Sequence, residues 1–243
     1  MYRTIWLRKQ PERYNASNEI PFVVICYNNL TFVKNFVNQL LRFPNPIILI
    51  DNASAYPPMH DYYKELRDTL SHRITIHQLD KNHGHFVYVY RGDLLPNQFI
   101  LSDPDLQLHP DMPLNVAERL LAISDEYKMY KVGAALDLSD RHLFATCPYA
   151  GKESIYAHEK QFWTEPMSHP VYELYNADLD TTFCLINKDY FKDNYYSAIR
   201  VAGVFTSKHL PWYKGYIRKH IPQEELEYWT KNNISSSVLS CLD

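Results

Sequence analysis

Two aspartates, Asp103 and Asp105, stand two residues apart at the end of the apolar run Phe99-Ile100-Leu101, with Pro104 between them. In extended backbone, side chains at i and i+2 share one side, so the two carboxylates converge. Convergent carboxylates repel unless something positive joins them. Mg²⁺ and Mn²⁺ do this well, because they favour oxygen ligands and often take one or two carboxylates together with a substrate's phosphates. The competing reading is an Asp-Pro turn that closes a strand. Asp-x-Asp alone is a weak signal, and its weight here comes from the elements around it.

Those elements alternate. Ile20 to Tyr27 is a short run rich in β-branched residues and reads as a buried strand. From Leu30 to Phe43, Val33, Phe36, Val37, Leu40 and Leu41 recur at helical spacing until Pro44 and Pro46 stop the helix. Ile47 to Ile50 is a second strand ending at Asp51, Tyr56-Pro57-Pro58 a turn, Met59 to Leu70 a second helix and Arg73 to Leu79 a third strand. Phe99 to Leu101 is the fourth strand. The βαβαβ order predicts a parallel sheet with right-handed crossovers, and ligands of such sheets bind beyond the carboxyl ends of the strands. Polar residues stand at those ends: Tyr27 and Asn28, Asp51 and Asn52, Asp80 and Asn82, Asp103 and Asp105.

Further along, Asp111 as N-cap and Pro113 in the first turn predict a helix reaching about Met129. Val132 to Leu138 is another apolar run. Arg141 to Tyr175 is polar and aromatic without clear periodicity and reads as a long loop or an acceptor-binding elaboration. Thr181 to Ile186 and Ile199 to Phe205 read as strands, and Gln223 to Asn232 as a C-terminal helix. With 243 residues, no repeat and no Gly/Ser linker, the chain is expected to form one α/β domain over residues 1–243. Within it, about 20–140 form a nucleotide-binding half and about 141–237 a more variable half.

Composition narrows the function. A net charge of -3 with no long Lys or Arg run argues against nucleic acid as a partner. No apolar stretch reaches 18 residues and the first 18 residues lack the apolar middle of a signal peptide, so the reading is a cytoplasmic chain without a transmembrane segment. Cys26, Cys147, Cys184 and Cys241 are widely spaced, which suits reduced thiols rather than a zinc site. Arg91-Gly92-Asp93 and His83-Gly84-His85 read as chance and turn sequences. Trp163, Trp212 and Trp229 are more simply core residues than sugar-stacking ones. No Walker-type glycine loop is present, so phosphate binding would rest on metal and side chains.

The order of motifs resembles small GT-A glycosyltransferases related to the large family-two group. The likeness is carried by Cys26-Tyr27-Asn28-Asn29-Leu30-Thr31, Ile50-Asp51-Asn52-Ala53-Ser54, Asn82-His83-Gly84 and Ser102-Asp103-Pro104-Asp105. It continues with Leu179-Asp180-Thr181-Thr182-Phe183 and, after Ala202-Gly203, His209-Leu210-Pro211-Trp212-Tyr213. The resemblance spans roughly residues 20 to 237. It implies a GT-A fold, a Rossmann-like half with a mostly parallel central sheet flanked by helices.

It also implies a metal-dependent, inverting transfer from a nucleoside diphosphate sugar, with UDP the common case, to a hydroxyl of a glycan or other acceptor. Tyr27 and Asn28 would border the base, Asp51 would accept from a base N–H, and Asn82 would lie near the nucleotide or its ribose. Asp103 would contact the ribose or a metal-bound water, while Asp105 and His209 would ligate Mn²⁺ or Mg²⁺. Asp180 would be the general base, with Asp178 as the alternative or as its orienting partner. Two other readings stand beside this one. A sugar nucleotidyltransferase usually opens with a glycine-rich loop and a Lys or Arg, where this chain has Tyr27-Asn28-Asn29. A non-catalytic module that binds nucleotide or glycan is opposed by the intact Asp103, Asp105 and Asp180.

Overall fold

The computed structural model describes residues 20–231. Cys241, the first 18 residues, the end of the expected C-terminal helix at Asn232 and the last part of the resemblance lie outside them. Strands β1 (Phe22–Cys26), β2 (Ile47–Asp51), β3 (Ile74–Gln78) and β4 (Gln98–Ser102) pair in parallel in the order β3-β2-β1-β4. Every residue of β1 and β2 is buried, as expected of strands covered on both faces. Phe22, Val24, Ile47 and Leu49 point into one core with helices α1 (Leu30–Leu40) and α2 (Pro57–Leu70). Val23, Ile25, Ile48 and Ile50 point into the other, against the segment around Val87–Leu95. Period-two alternation thus divides each strand between two layers.

Helix α1 buries Leu30, Phe32, Val33, Phe36, Val37 and Leu40 on one face. Each such side chain contributes roughly 1.5–3 kcal/mol relative to exposure. Helix α2 starts two residues earlier than expected. Tyr56 is extended and caps it, and Pro57 and Pro58 are its first helical residues rather than a turn, a position where the missing N–H costs nothing.

The second half completes the sheet with β6 (Lys131–Ala134), β7 (Pro166–Met167), β8 (Leu174–Asn176), β9 (Cys184–Asn187) and β10 (Ile199–Val201), in the full order β3-β2-β1-β4-β9-β6-β10-β8-β7. Strands β9 and β8 run against the rest, so the sheet is mostly parallel. A separate two-stranded ribbon pairs β5 (Leu106–Leu108) with β11 (Ser207–His209).

Helix α3 spans Val116–Tyr127 and is capped at Asn115, not Asp111. The Val116 N–H reaches the Pro113 carbonyl, making a turn of the residues where the helix was expected to begin. Arg141 to Tyr175 is not a bare loop: it holds helix α4 (Ile155–Lys160), capped by the Ser154 hydroxyl, together with β7 and most of β8. The expected strand from Thr181 begins only at Cys184, and the one from Ile199 ends at Val201, with Gly203–Phe205 in a 3-10 turn. The C-terminal helix α5 covers Gln223–Thr230. Cys26 and Cys184 are free and buried. Among the described residues no helix is long and apolar enough to cross a membrane.

Candidate functional site

The reversed direction of β9 builds the site. Its neighbours β4 and β6 deliver their carboxyl ends to one edge, and β9 enters the sheet at that same edge. The loop before β9 therefore lies beside the loop after β4: the Asp103 N–H donates to the Thr181 carbonyl at 3.0 Å, and the Thr181 hydroxyl donates a short hydrogen bond to the Asp103 carboxylate. Asp178, Asp180 and Thr182 then line, together with Asp103, Pro104 and Asp105, one cavity of about 380 Å³.

The ribbon brings in the histidine. Leu106 pairs with His209, and the Leu210 N–H donates to the Asp105 carbonyl at 2.9 Å. This places His209 Nε2 3.4 Å from Asp105 Oδ2. Asp105 Oδ1 and His209 Nδ1 are both buried without a hydrogen-bond partner. Asp103 is held well above the usual carboxylate range, first by burial and then by the Asp105 charge, with the Thr181 hydroxyl pulling the other way. Two facing carboxylates, an imidazole and unsatisfied ligand atoms make a donor set that fits a hard or borderline divalent cation. Among the described residues no group of three or more His, Cys, Asp or Glu side chains is arranged to hold a metal ion alone. The fit is therefore to a cation that completes its shell with water and phosphate oxygens.

The cavity's other end is lined by Tyr27, Asn52, Asn82 and Trp229. Asn52 donates to the Gly84 carbonyl at 3.1 Å and accepts from the His83 N–H, and Asn82 accepts from the Gly84 N–H at 2.8 Å. Asn28 and Asp51 do not line it. Asn28, at a positive φ of 52°, accepts from the N–H groups of Ala55 and Tyr56 and donates to the Tyr228 carbonyl. Asp51, 1% exposed, accepts from Ser54 and from the Tyr63 hydroxyl, and burial raises its carboxyl above its ordinary value. Both are buried and hydrogen-bonded into the packing beside the cavity. Tyr27 lines the cavity but spends its hydroxyl on the Lys231 carbonyl at 3.0 Å.

Three charged residues missed in the sequence sit beside the Asp178–Asp180 segment. Glu159 and Arg200 form a buried ion pair in the cavity wall, and Arg200 Nε also donates to the Asp178 carbonyl at 2.8 Å. Lys131, 1% exposed, donates to the carbonyls of Leu179 and Asp180. Burial lowers both the Lys131 and the Arg200 cations below their ordinary values. A signal was present: Lys131 opens an apolar run and Arg200 stands between Ile199 and Val201, and a charge inside a buried strand must find a partner.

No family model and no curated protein sequence matches the chain. Among solved structures it is similar to GalNAc-T7 with UDP, GalNAc and Mn²⁺, at 10% identity over 88% of this chain and 50% of that one, with a TM-score of 0.53. It also matches a mannosyltransferase from Pyrobaculum calidifontis in complex with GDP-Man and Mn²⁺, at 14% identity over 62% of this chain and 49% of that one, TM-score 0.41. S. aureus TarS matches at 16% identity over 49% of this chain and 22% of that one, TM-score 0.37. The chain thus spans half or less of the length of each of these structures. The fold is that of a GT-A glycosyltransferase, on the strength of the first of these likenesses and of the mostly parallel sheet flanked by helices.

Proposed function

We propose that the chain is a metal-dependent glycosyltransferase that moves a sugar, with inversion, from a nucleoside diphosphate sugar to a hydroxyl of a glycan or other acceptor. A UDP-sugar is the donor of first choice. The observation that carries this reading is the meeting of two acidic groups on one cavity: Asp103 and Asp105 with His209, and Asp178 with Asp180. Asp105 and His209 would hold Mn²⁺ or Mg²⁺. The ion would supply Lewis-acid stabilisation of the departing diphosphate.

The acceptor oxygen forms its bond to the anomeric carbon as the bond from that carbon to the diphosphate oxygen breaks. The electron pair of the broken bond leaves on the diphosphate, and the acceptor's hydroxyl proton passes to the Asp180 carboxylate. Asp178, two residues away with Leu179 buried between them, orients Asp180 or takes that proton in its place. Asp103, held by Thr181, fixes the turn that carries Asp105 and accepts from a ribose hydroxyl. Tyr27, Asn52 and Asn82, which line the cavity as Asn28 and Asp51 do not, carry the nucleotide contacts.

The test is thermal unfolding of the wild type with UDP, GDP, CDP, ADP and dTDP, with and without Mn²⁺. A ligand at about 100 times its Kd stabilises by about 2.7 kcal/mol, which for a domain of this size raises Tm by roughly 5–10 °C. A rise with one nucleotide that requires the ion supports the donor site. No rise with any of them would sink it.

A further inference from the structure

We propose that Lys131 and Arg200 act together as positioning residues that set the place of the Asp178–Asp180 segment; the catalytic part of this rests on the transferase reading above. The two cations stand on neighbouring parallel strands, β6 and β10, where Gly133 pairs with Arg200. Between them they engage three consecutive main-chain carbonyls. Arg200 Nε donates to Asp178 O at 2.8 Å, and Lys131 Nζ donates to Leu179 O at 2.8 Å and to Asp180 O at 3.2 Å.

The arrangement is specific in what it fixes. With the carbonyls drawn down onto the cations and Leu179 packed beneath at 1% exposure, the side chains of Asp178 and Asp180 are left exposed on the cavity side. Arg200 is itself fixed, by the Glu159 carboxylate on one side and by the ring of Phe162, 4.1 Å from its guanidinium carbon, on the other. Lys131 has no carboxylate hydrogen-bonded to its ammonium among the described residues. Its hydrogen bonds go to that segment alone, and its charge interacts favourably with Asp180 and Asp178.

An apolar side chain in the Lys131 position would stabilise the sheet at less cost than a desolvated ammonium. A buried charge kept under this one loop points to a demand on geometry. Displacing a reacting group by about 1 Å can cost on the order of 100-fold in rate.

The experiment compares wild type, Lys131→Met and Arg200→Lys by hydrogen exchange of the 178–182 backbone and by steady-state kinetics. Lys131→Met keeps most of the aliphatic stem and loses both hydrogen bonds to the segment. Arg200→Lys keeps a cation for Glu159 and loses the bond to the Asp178 carbonyl, so it serves if the first variant does not fold. Expected in either variant is faster exchange confined to 178–182, and a kcat lowered about 10- to 100-fold at a donor KM within twofold of wild type. The Mn²⁺-dependent nucleotide shift in Tm should be retained. Unchanged exchange of that segment, or an unchanged kcat, overturns the proposal. A wild type that shows no nucleotide-dependent rise in Tm overturns the donor reading instead, and the exchange comparison still decides whether the two cations hold the segment.

Discussion

Asp105 and His209, 104 positions apart in the chain, face each other at 3.4 Å because the two short strands that adjoin them pair antiparallel with Leu106 opposite His209. The contact is made by register in a ribbon outside the main sheet. Each residue keeps one buried polar atom unpartnered, and Asp105 also raises the carboxyl of Asp103.

Removing the Asp105 charge should therefore separate binding from stability. Asp105→Asn is expected to abolish the Mn²⁺-dependent rise in Tm with nucleotide while leaving the Tm of the free protein equal to or above that of wild type, since a repulsion at Asp103 is relieved. His209→Ala should reduce the same rise and weaken the Mn²⁺ requirement. A Tm of free Asp105→Asn well below wild type would mean that the carboxylate is a structural group.

Asp178 and Asp180, which line the same cavity, should differ in kind from Asp105. Asp180→Asn is expected to lower kcat by about 10²- to 10⁴-fold, the usual contribution of a general base, with the nucleotide shift in Tm unchanged. Asp178→Asn should cost less. The reverse ranking would pass the proton-accepting role to Asp178, and no loss in either would remove both from the reaction.

Gly133 offers a test through packing alone. It pairs with Cys184 across β6 and β9, and a β-carbon there would stand 2.4 Å from Cys184 Cβ and 2.6 Å from Leu179 Cδ2. Neither the Cys184 β-carbon nor the backbone beside it can give way easily. Gly133→Ala should destabilise by about 1–3 kcal/mol, as overpacking does, and lower kcat because Leu179 underlies Asp178 and Asp180. A chemical denaturation curve superimposable on wild type would refute the close approach.

The first half of the fold was legible because its elements are long and periodic: five-residue strands without a polar break, and helices with apolar residues on one face. The second half is built from strands of two to four residues whose existence depends on partners far along the chain, as β11 depends on β5. Thr181 and Thr182 look like strand residues. They are held off the sheet by the bond to Asp103 and by the positive φ of Phe183, at 27°. Asp103, Asp105, Asp178, Asp180 and His209, singled out by their order along the chain, all line one cavity. Their partners could not be read in that way, because Lys131 and Arg200 are single charges in apolar strands, and only the tertiary fold says which carbonyls they meet. Asp51 ends a strand at the same edge of the sheet, and its carboxylate accepts from Ser54 and Tyr63, partners that the sequence order does not reveal.

The buried Glu159–Arg200 pair should leave a mark on stability against pH. Burial pushes the Glu159 carboxyl up to about 7, with Arg200 pulling it down. A carboxyl whose folded value lies above its unfolded one binds more protons in the folded state. Its contribution is then fully present below the unfolded value of 4.5 and lost as pH rises through about 7. Melting curves from pH 4 to pH 9 should show this fall in wild type between those limits and not in Glu159→Gln, which cannot titrate. In Arg200→Met the same fall should extend to higher pH, because the group that pulls Glu159 down is gone. Parallel curves for wild type and Glu159→Gln would show that the carboxylate stays ionised throughout, held by Arg200 against the cost of its burial.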